Sequence, residues 1–234
     1  MNAECGLRNA KSLALVAVVA LAAGACIEPS LRPRPMTREV AVEHYKKAQE
    51  LVQAQDIDLA IVAIRKAVAA DPRQAEYHRF LANLLAQKTE WVDAEMEYRA
   101  AIRTDATNDL AWEGLVYVVR AEGQKDRLPG IIKERVGLSP LDAKWRMRLG
   151  LAYEDLGQLR NAEQALKDAA DLAKGDQEAY ILARLGLVYE ALREPEKAIR
   201  EYEQSLKLHP DQPRLREIVE RLRALPPTSL PVAP

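Results

Sequence analysis

The residue types able to do chemistry are few in this chain, and their spacing does not suit a reaction. Three histidines, His44, His78 and His209, could hold a metal or move a proton. None has a second histidine or an acidic partner at the spacing of a helix-borne ligand pair such as H-E-x-x-H. There is no glycine-rich phosphate loop and no G-x-S-x-G turn. The carboxylates are many, 35 in all, but they follow solvent faces of helices, as in Glu194-Pro195-Glu196-Lys197. Two cysteines, Cys5 and Cys26, are the only thiols. Cleavage before Cys26 would remove Cys5, so no disulfide framework can form within one mature chain. These residues predict no catalytic set, no metal, no cofactor and no small-molecule substrate. The formal net charge of −1 predicts no nucleic-acid partner, because no basic field is available to meet phosphates.

Cys26 has a setting of its own. Arg8 and Lys11 precede an apolar run from Ser12 to Ala25, which is shorter than the ~20 residues a membrane span needs. That pattern suits a signal peptide over residues 1–25. The run ends in Leu21-Ala22-Ala23-Gly24-Ala25-Cys26, which resembles a bacterial lipobox, where the cysteine is lipidated and becomes the new N-terminus. Ala23 departs from the leucine most often found three places before such a cysteine. Ala23-x-Ala25 also suits an ordinary signal peptidase, so a soluble periplasmic or secreted product is the alternative. Pro29, Pro33 and Pro35 then preclude a helix and favour an extended tether over residues 26–40. At ~3.1 Å per residue it would hold a folded body ~30 Å from a membrane. By resemblance to Gram-negative lipoproteins, Ile27 after the cysteine implies the outer membrane, facing the periplasm.

The remaining sequence must supply whatever positions a binding surface, and it does so by repetition. Alanine and leucine dominate, with sparse aromatic residues, which favours helices over sheets. A motif of Ala, a large residue four places on and a small residue three places later occurs at Ala60-Ile64-Ala67 and Ala94-Tyr98-Ala101. It returns at Ala162-Leu166-Ala169 and Ala198-Tyr202-Ser205, with a degenerate copy at Leu128-Ile132-Arg135. The leading positions are separated by 34, 34, 34 and 36 residues. A second motif keeps the same phase at Leu81-Ala82-x-x-Leu85, Leu149-Gly150-x-x-Tyr153 and Leu185-Gly186-x-x-Tyr189, with weaker copies at Lys47-Ala48-x-x-Leu51 and Leu115-Val116-x-x-Val119. Pro72, Pro140 and Pro210 close three units at the same phase.

This period and motif set resembles the tetratricopeptide repeat family. The resemblance implies an all-α, right-handed superhelical solenoid of helix-turn-helix units. Five units are assigned, at residues 41–74, 75–108, 109–142, 143–176 and 179–212. Leu215, Ile218, Val219 and Leu222 then form one apolar face on a capping helix over residues 213–225, and proline-rich residues 226–234 read as a disordered tail. Leu128-Pro129-Gly130 predicts a late start and a short second helix in the third unit. Ala173 to Glu178 is two residues longer than the standard turn, which predicts perturbed stacking.

In that family the first helix of each unit lines the concave face. Carried onto this chain, the groove residues are Tyr45 and Gln49, Arg79 and Asn83, Tyr117 and Arg120, Lys144, Met147 and Arg148, and Tyr180 and Leu187. Tyr45, Tyr117 and Tyr180 are the expected anchors for a peptide or helix laid in the groove. The carboxylate-clamp subfamily, which grips a peptide's terminal carboxylate, is matched by Arg79 and Asn83 and by Lys144 and Arg148. Gly114 stands where its middle Asn should be. The whole reads as an envelope-anchored scaffold that binds proteins or peptides and attaches to the membrane through lipid on Cys26. The alternative, by resemblance to small tetratricopeptide lipoproteins, is a pilotin that assists the type IV pilus secretin.

Overall fold

Each apolar stripe of the sequence folds as a helix, and each helix packs first on its neighbour in the chain. The computed structural model describes residues 38–224, and among them eleven α-helices and no strand occur. The units are α1 (Arg38–Gln53) with α2 (Ile57–Ala70), α3 (Ala75–Gln87) with α4 (Trp91–Thr104), and α5 (Asp109–Ala121) with α6 (Leu128–Leu138). They continue as α7 (Ala143–Asp155) with α8 (Leu159–Ala170), and α9 (Asp176–Ala191) with α10 (Pro195–Leu208). The cap α11 (Pro213–Ala224) rests on α10 through Leu215, Val219 and Leu222. Because α1 starts at Arg38, residues 38–40, assigned above to the tether, are helical instead. The signal peptide, Cys26, the rest of the tether and the tail at 226–234 lie outside the described residues.

Close approach of paired helices depends on the small residues. Ala48, Ala60, Ala82, Ala94, Ala162 and Ala198 are fully buried. A Cβ added at Gly186 would fall 2.3 Å from the Tyr202 ring, and one at Gly150 would fall 2.6 Å from Leu166. Large side chains fill what remains, at interior density. The core is continuous in two stretches that meet on α7. Trp145 and Ala152 belong to the N-terminal stretch, Ala143 and Tyr153 to the C-terminal one, and Leu149 packs against both.

The turn inside every unit has the same build. Gln55, Thr89, Gly123, Gly157 and Arg193 all take positive φ. In each turn this residue donates its N–H three places back, and the next residue donates five places back, as in Thr89 to Ala86 at 3.0 Å and Glu90 to Leu85 at 3.0 Å. This is the Schellman ending, which satisfies the last carbonyls of the first helix. A β-branched residue is ill suited to φ +61°. Relief of ~1–2 kcal/mol of left-handed strain outweighs the ~0.5–1 kcal/mol of extra chain entropy that glycine carries. Thr89→Gly is therefore expected to stabilise the fold by about 0.5–1 kcal/mol, read as a rise of a few degrees in Tm.

Two units depart from the pattern. In the third, a 3₁₀ turn at Lys125–Arg127 precedes α6, which has 11 residues where α2, α4 and α10 have 14. Pro129 lies in the first turn of α6, where its missing N–H costs nothing. Between the fourth and fifth units, α8 stops at Ala170 and α9 begins at Asp176, after Gly175 at φ +62°. The extra residues thus lengthen both the loop and the start of α9.

His78 joins the two helices of the second unit. Its Nδ1 lies 2.6 Å from Glu97 and its Nε2 lies 3.1 Å from the Pro72 carbonyl, so both ring nitrogens face acceptors. The hydrogen bond to Glu97 pushes the imidazole pKa up, against the opposing effect of burial and with help from Pro72. A raised pKa means stability that is complete below pH ~6.5 and is lost as pH climbs through the folded value. Wild type is expected to lose Tm between pH 6 and pH 8.5, and His78→Phe is expected to lose most of that slope.

Candidate interaction groove

Side chains that point away from the partner helix on α1, α3, α5, α7 and α9 form one continuous surface, because positions three and four apart share a helix face. Two kinds of residue occupy it. The first kind is charged and already paired, mostly across units. Tyr45 Oη donates to Glu76 Oε1 at 3.0 Å, and Arg79 binds the same carboxylate at 2.6 Å. Glu113 receives both Lys144, at 2.6 Å, and Arg148, at 2.9 Å. Arg120 meets Asp155 at 3.3 Å, Arg184 meets Glu154 at 2.6 Å, and Arg221 of the cap meets Glu190 at 3.3 Å. Opposite charges on adjacent units thus form successive rungs along the surface.

The second kind is apolar and open. Tyr117 is 59% exposed and meets Trp91 edge-on at 6.3 Å. Tyr180 and Leu110 are more than half exposed, and Leu187 is 40% exposed. Met147 is half-buried against the core, and Gln49 is exposed. Tyr45 differs from the other tyrosines. It is half-buried, with its ring 4.9 Å from Tyr77 and 5.3 Å from Phe80. Burial first, then the hydrogen bond to Glu76, pushes its phenol up to about 12. It ties the first unit to the second, so Tyr117 and Tyr180 are the rings open to a partner.

The four residues matched to a carboxylate clamp do not converge on an open position. Lys144 and Arg148 close on Glu113, so an internal carboxylate holds the place of a ligand's. Arg79 turns onto Glu76, and Asn83 accepts a hydrogen bond from Tyr98 at 2.5 Å. Gly114 explains the missing Asn. A Cβ there would fall 2.2 Å from the buried Tyr98 ring, so no side chain fits without moving it. No group of three or more potential metal ligands is found among the described residues. No helix among them is long and apolar enough to cross a membrane.

Sequence reasoning missed the cluster beneath this surface at the third and fourth units. Arg135, in the place of a small residue, is buried and donates Nε and Nη2 to Asp109 at 3.0 and 2.6 Å. Trp145, fully buried, donates Nε1 to the same oxygen at 3.1 Å. The guanidiniums of Arg135 and Arg148 lie 5.5 and 5.1 Å from the Trp145 ring. Burial acts to raise the Asp109 pKa, but the hydrogen bonds from Arg135 and Trp145 prevail and hold it below the usual carboxylate range. The departure of Arg135 from the repeat pattern was the available signal.

Three tetratricopeptide repeat models match the chain, over residues 45–109, 145–176 and 179–212. No curated protein sequence matches. Among solved structures, the chain is similar to YrrB, described as a TPR protein with an unusual peptide-binding site, at 19% identity and TM-score 0.58, covering 79% of this chain and 92% of that one. It is similar to MamA at 19% identity and TM-score 0.61, covering 84% and 99%. It is also similar to PilF of Pseudomonas aeruginosa at 19% identity and TM-score 0.55, covering 79% and 83%. At these identities the likeness is one of fold.

Proposed function

Because this chain belongs to the tetratricopeptide repeat family, we propose that it is a non-enzymatic scaffold which receives partner proteins along the surface of its first helices. The observation that carries this reading is the exposure of Tyr117, Tyr180 and Leu187 above a row of charges paired within the chain. Exposed aromatic side chains flanked by neutralised charge bury apolar area on binding without stripping water from unpaired ions. The peptide-binding description of YrrB is in keeping with this use of the fold.

The leader sequence extends the proposal. Lipidation of Cys26 would tether the array to the outer membrane, facing the periplasm, and the partners would be envelope proteins or peptides. The test is a photo-crosslinking residue placed at Tyr117 or Tyr180 in cells, with identification of what is caught. Capture of an envelope protein supports the scaffold, and no specific adduct at either position would sink it. Tyr117→Ala is expected to weaken the captured partner about tenfold or more, as loss of an interface anchor of ~1.4 kcal/mol or above does.

A second reading is a pilotin-like role in assembling the type IV pilus secretin. It is favoured by the lipobox together with the PilF-like fold. Normal secretin multimers after deletion of the gene would remove it.

A further inference from the structure

The outer surface of the first two units carries a patch that the repeat does not require. Leu59 and Val62 on α2 and Val92 and Met96 on α4 are each more than half exposed. The chain supplies its own controls. Where the second unit has Val92, the other units have Asp58, Asp126, Arg160 and Glu196. Where the first has Leu59, the others have Asp93, Arg127, Asn161 and Lys197. Val62 and Met96 share a position that is Gly130, Gln164 and Arg200 elsewhere. The same positions therefore fold without a large apolar side chain three times over, and only the first two units make the face apolar.

We propose that this face is a self-association surface, occupied by the same face of a second copy. The charges around the patch carry the choice of occupant. On both helices the acids lie toward the N-terminal end and the bases toward the C-terminal end: Asp58 before Arg65 and Lys66, and Asp93 before Arg99 and Arg103. Asp93, Arg65 and Lys66 have no ion-pair partner among the described residues. A two-fold axis lying in the patch and crossing the helices sets α2 of one copy antiparallel to α2 of the other, and α4 antiparallel to α4. With Val62 opposite Val62 and Met96 opposite Met96, Lys66 of one copy lies level with Asp58 of the other, and Asp93 level with Arg99, so opposite charges meet on both helices. The face is then complementary to itself, as an isologous contact must be. Four side chains give a patch of only a few hundred Å², at the low end for interfaces, so the dimer is weak, with a Kd of order micromolar or above.

The test is sedimentation velocity of the full chain from ~1 to ~300 µM, in reductant so that Cys5 and Cys26 cannot link copies. Wild type is expected to pass from monomer toward dimer over this range. Val62→Gln with Met96→Gln, which borrows the residue at Gln164, is expected to weaken association at least tenfold while leaving the far-ultraviolet circular dichroism and Tm near wild type. Lys66→Glu alone is expected to weaken the dimer, and Lys66→Glu with Asp58→Lys in one chain to restore it. That rescue would not follow from a merely structural role. A chain that stays monomeric throughout, or a dimer that ignores the double glutamine variant, overturns the proposal. So does a monomer whose patch binds a hydrophobic dye only after residues 1–37 are removed, since that leader would then be the occupant.

Discussion

Trp145→Ala is expected to cost about 3–5 kcal/mol, the range for truncating a large aromatic side chain in a closed core. The indole is 0% exposed, and it lies where the two stretches of core meet on α7. Its removal opens a cavity that neither stretch can fill alone. It also deprives Asp109 of the 3.1 Å hydrogen bond and takes away the ring beside Arg135 and Arg148. For a chain of this size, thermal denaturation should show a Tm lower by about 10 °C. Trp145→Phe keeps most of the volume but not the N–H, and should cost about 1–2 kcal/mol. Similar losses for the two variants would mean that the hydrogen bond, not the packing, holds this seam. Because Arg148 rests against the indole and also binds Glu113, Trp145→Ala should disturb partner capture as well. A variant that unfolds less than 1 kcal/mol more easily would contradict the account of the core.

The array was legible in the sequence because close helix packing leaves few choices. Ala60, Ala94, Ala162 and Ala198 must be small wherever two helices touch, so the 34-residue period survives divergence. The intra-unit turns were only half legible. Gly123 and Gly157 announce a left-handed residue, whereas Gln55, Thr89 and Arg193 occupy the same phase with no glycine to mark it. The groove was legible as positions, not as states. Tyr45, Tyr117 and Tyr180 share a helix face at three different places in the repeat, but whether a ring is open depends on what the next unit offers it. Tyr77, Phe80 and Glu76 claim the first, while nothing comparable covers the third. Lys144 and Arg148 looked available because their partner, Glu113, lies more than thirty residues away. Packing constrains none of these exposed positions, so the sequence fixes where a partner could bind far better than which partner binds.

Asp109→Ala is expected to cost more than Arg135→Ala, although the two residues form one ion pair. The asymmetry lies in what each variant leaves behind. The Arg135 side chain is 7% exposed and the Asp109 side chain is 40% exposed. Without Asp109, a buried guanidinium keeps only Asp142, at 3.7 Å, and must otherwise be desolvated alone. Breaking a buried pair from that side costs about 3–4 kcal/mol. Asp109 is also the first acidic residue of α5, where the helix dipole favours it, and it is the acceptor for the Trp145 N–H. Without Arg135, by contrast, water reaches the remaining carboxylate, so Arg135→Ala should cost only about 2 kcal/mol, chiefly through lost packing. Arg135→Met keeps an unbranched chain in the space and strands no buried charge, so it should lie within about 1 kcal/mol of wild type. Urea denaturation of the three variants checks the order. Equal losses for Asp109→Ala and Arg135→Ala would mean that the guanidinium is hydrated after all. The pair with Trp145→Ala should be less than additive, because both changes remove the same hydrogen bond. The residue that breaks the repeat pattern thus acts with the seam tryptophan as a single unit, and it is this unit that supports the surface carrying Lys144 and Arg148.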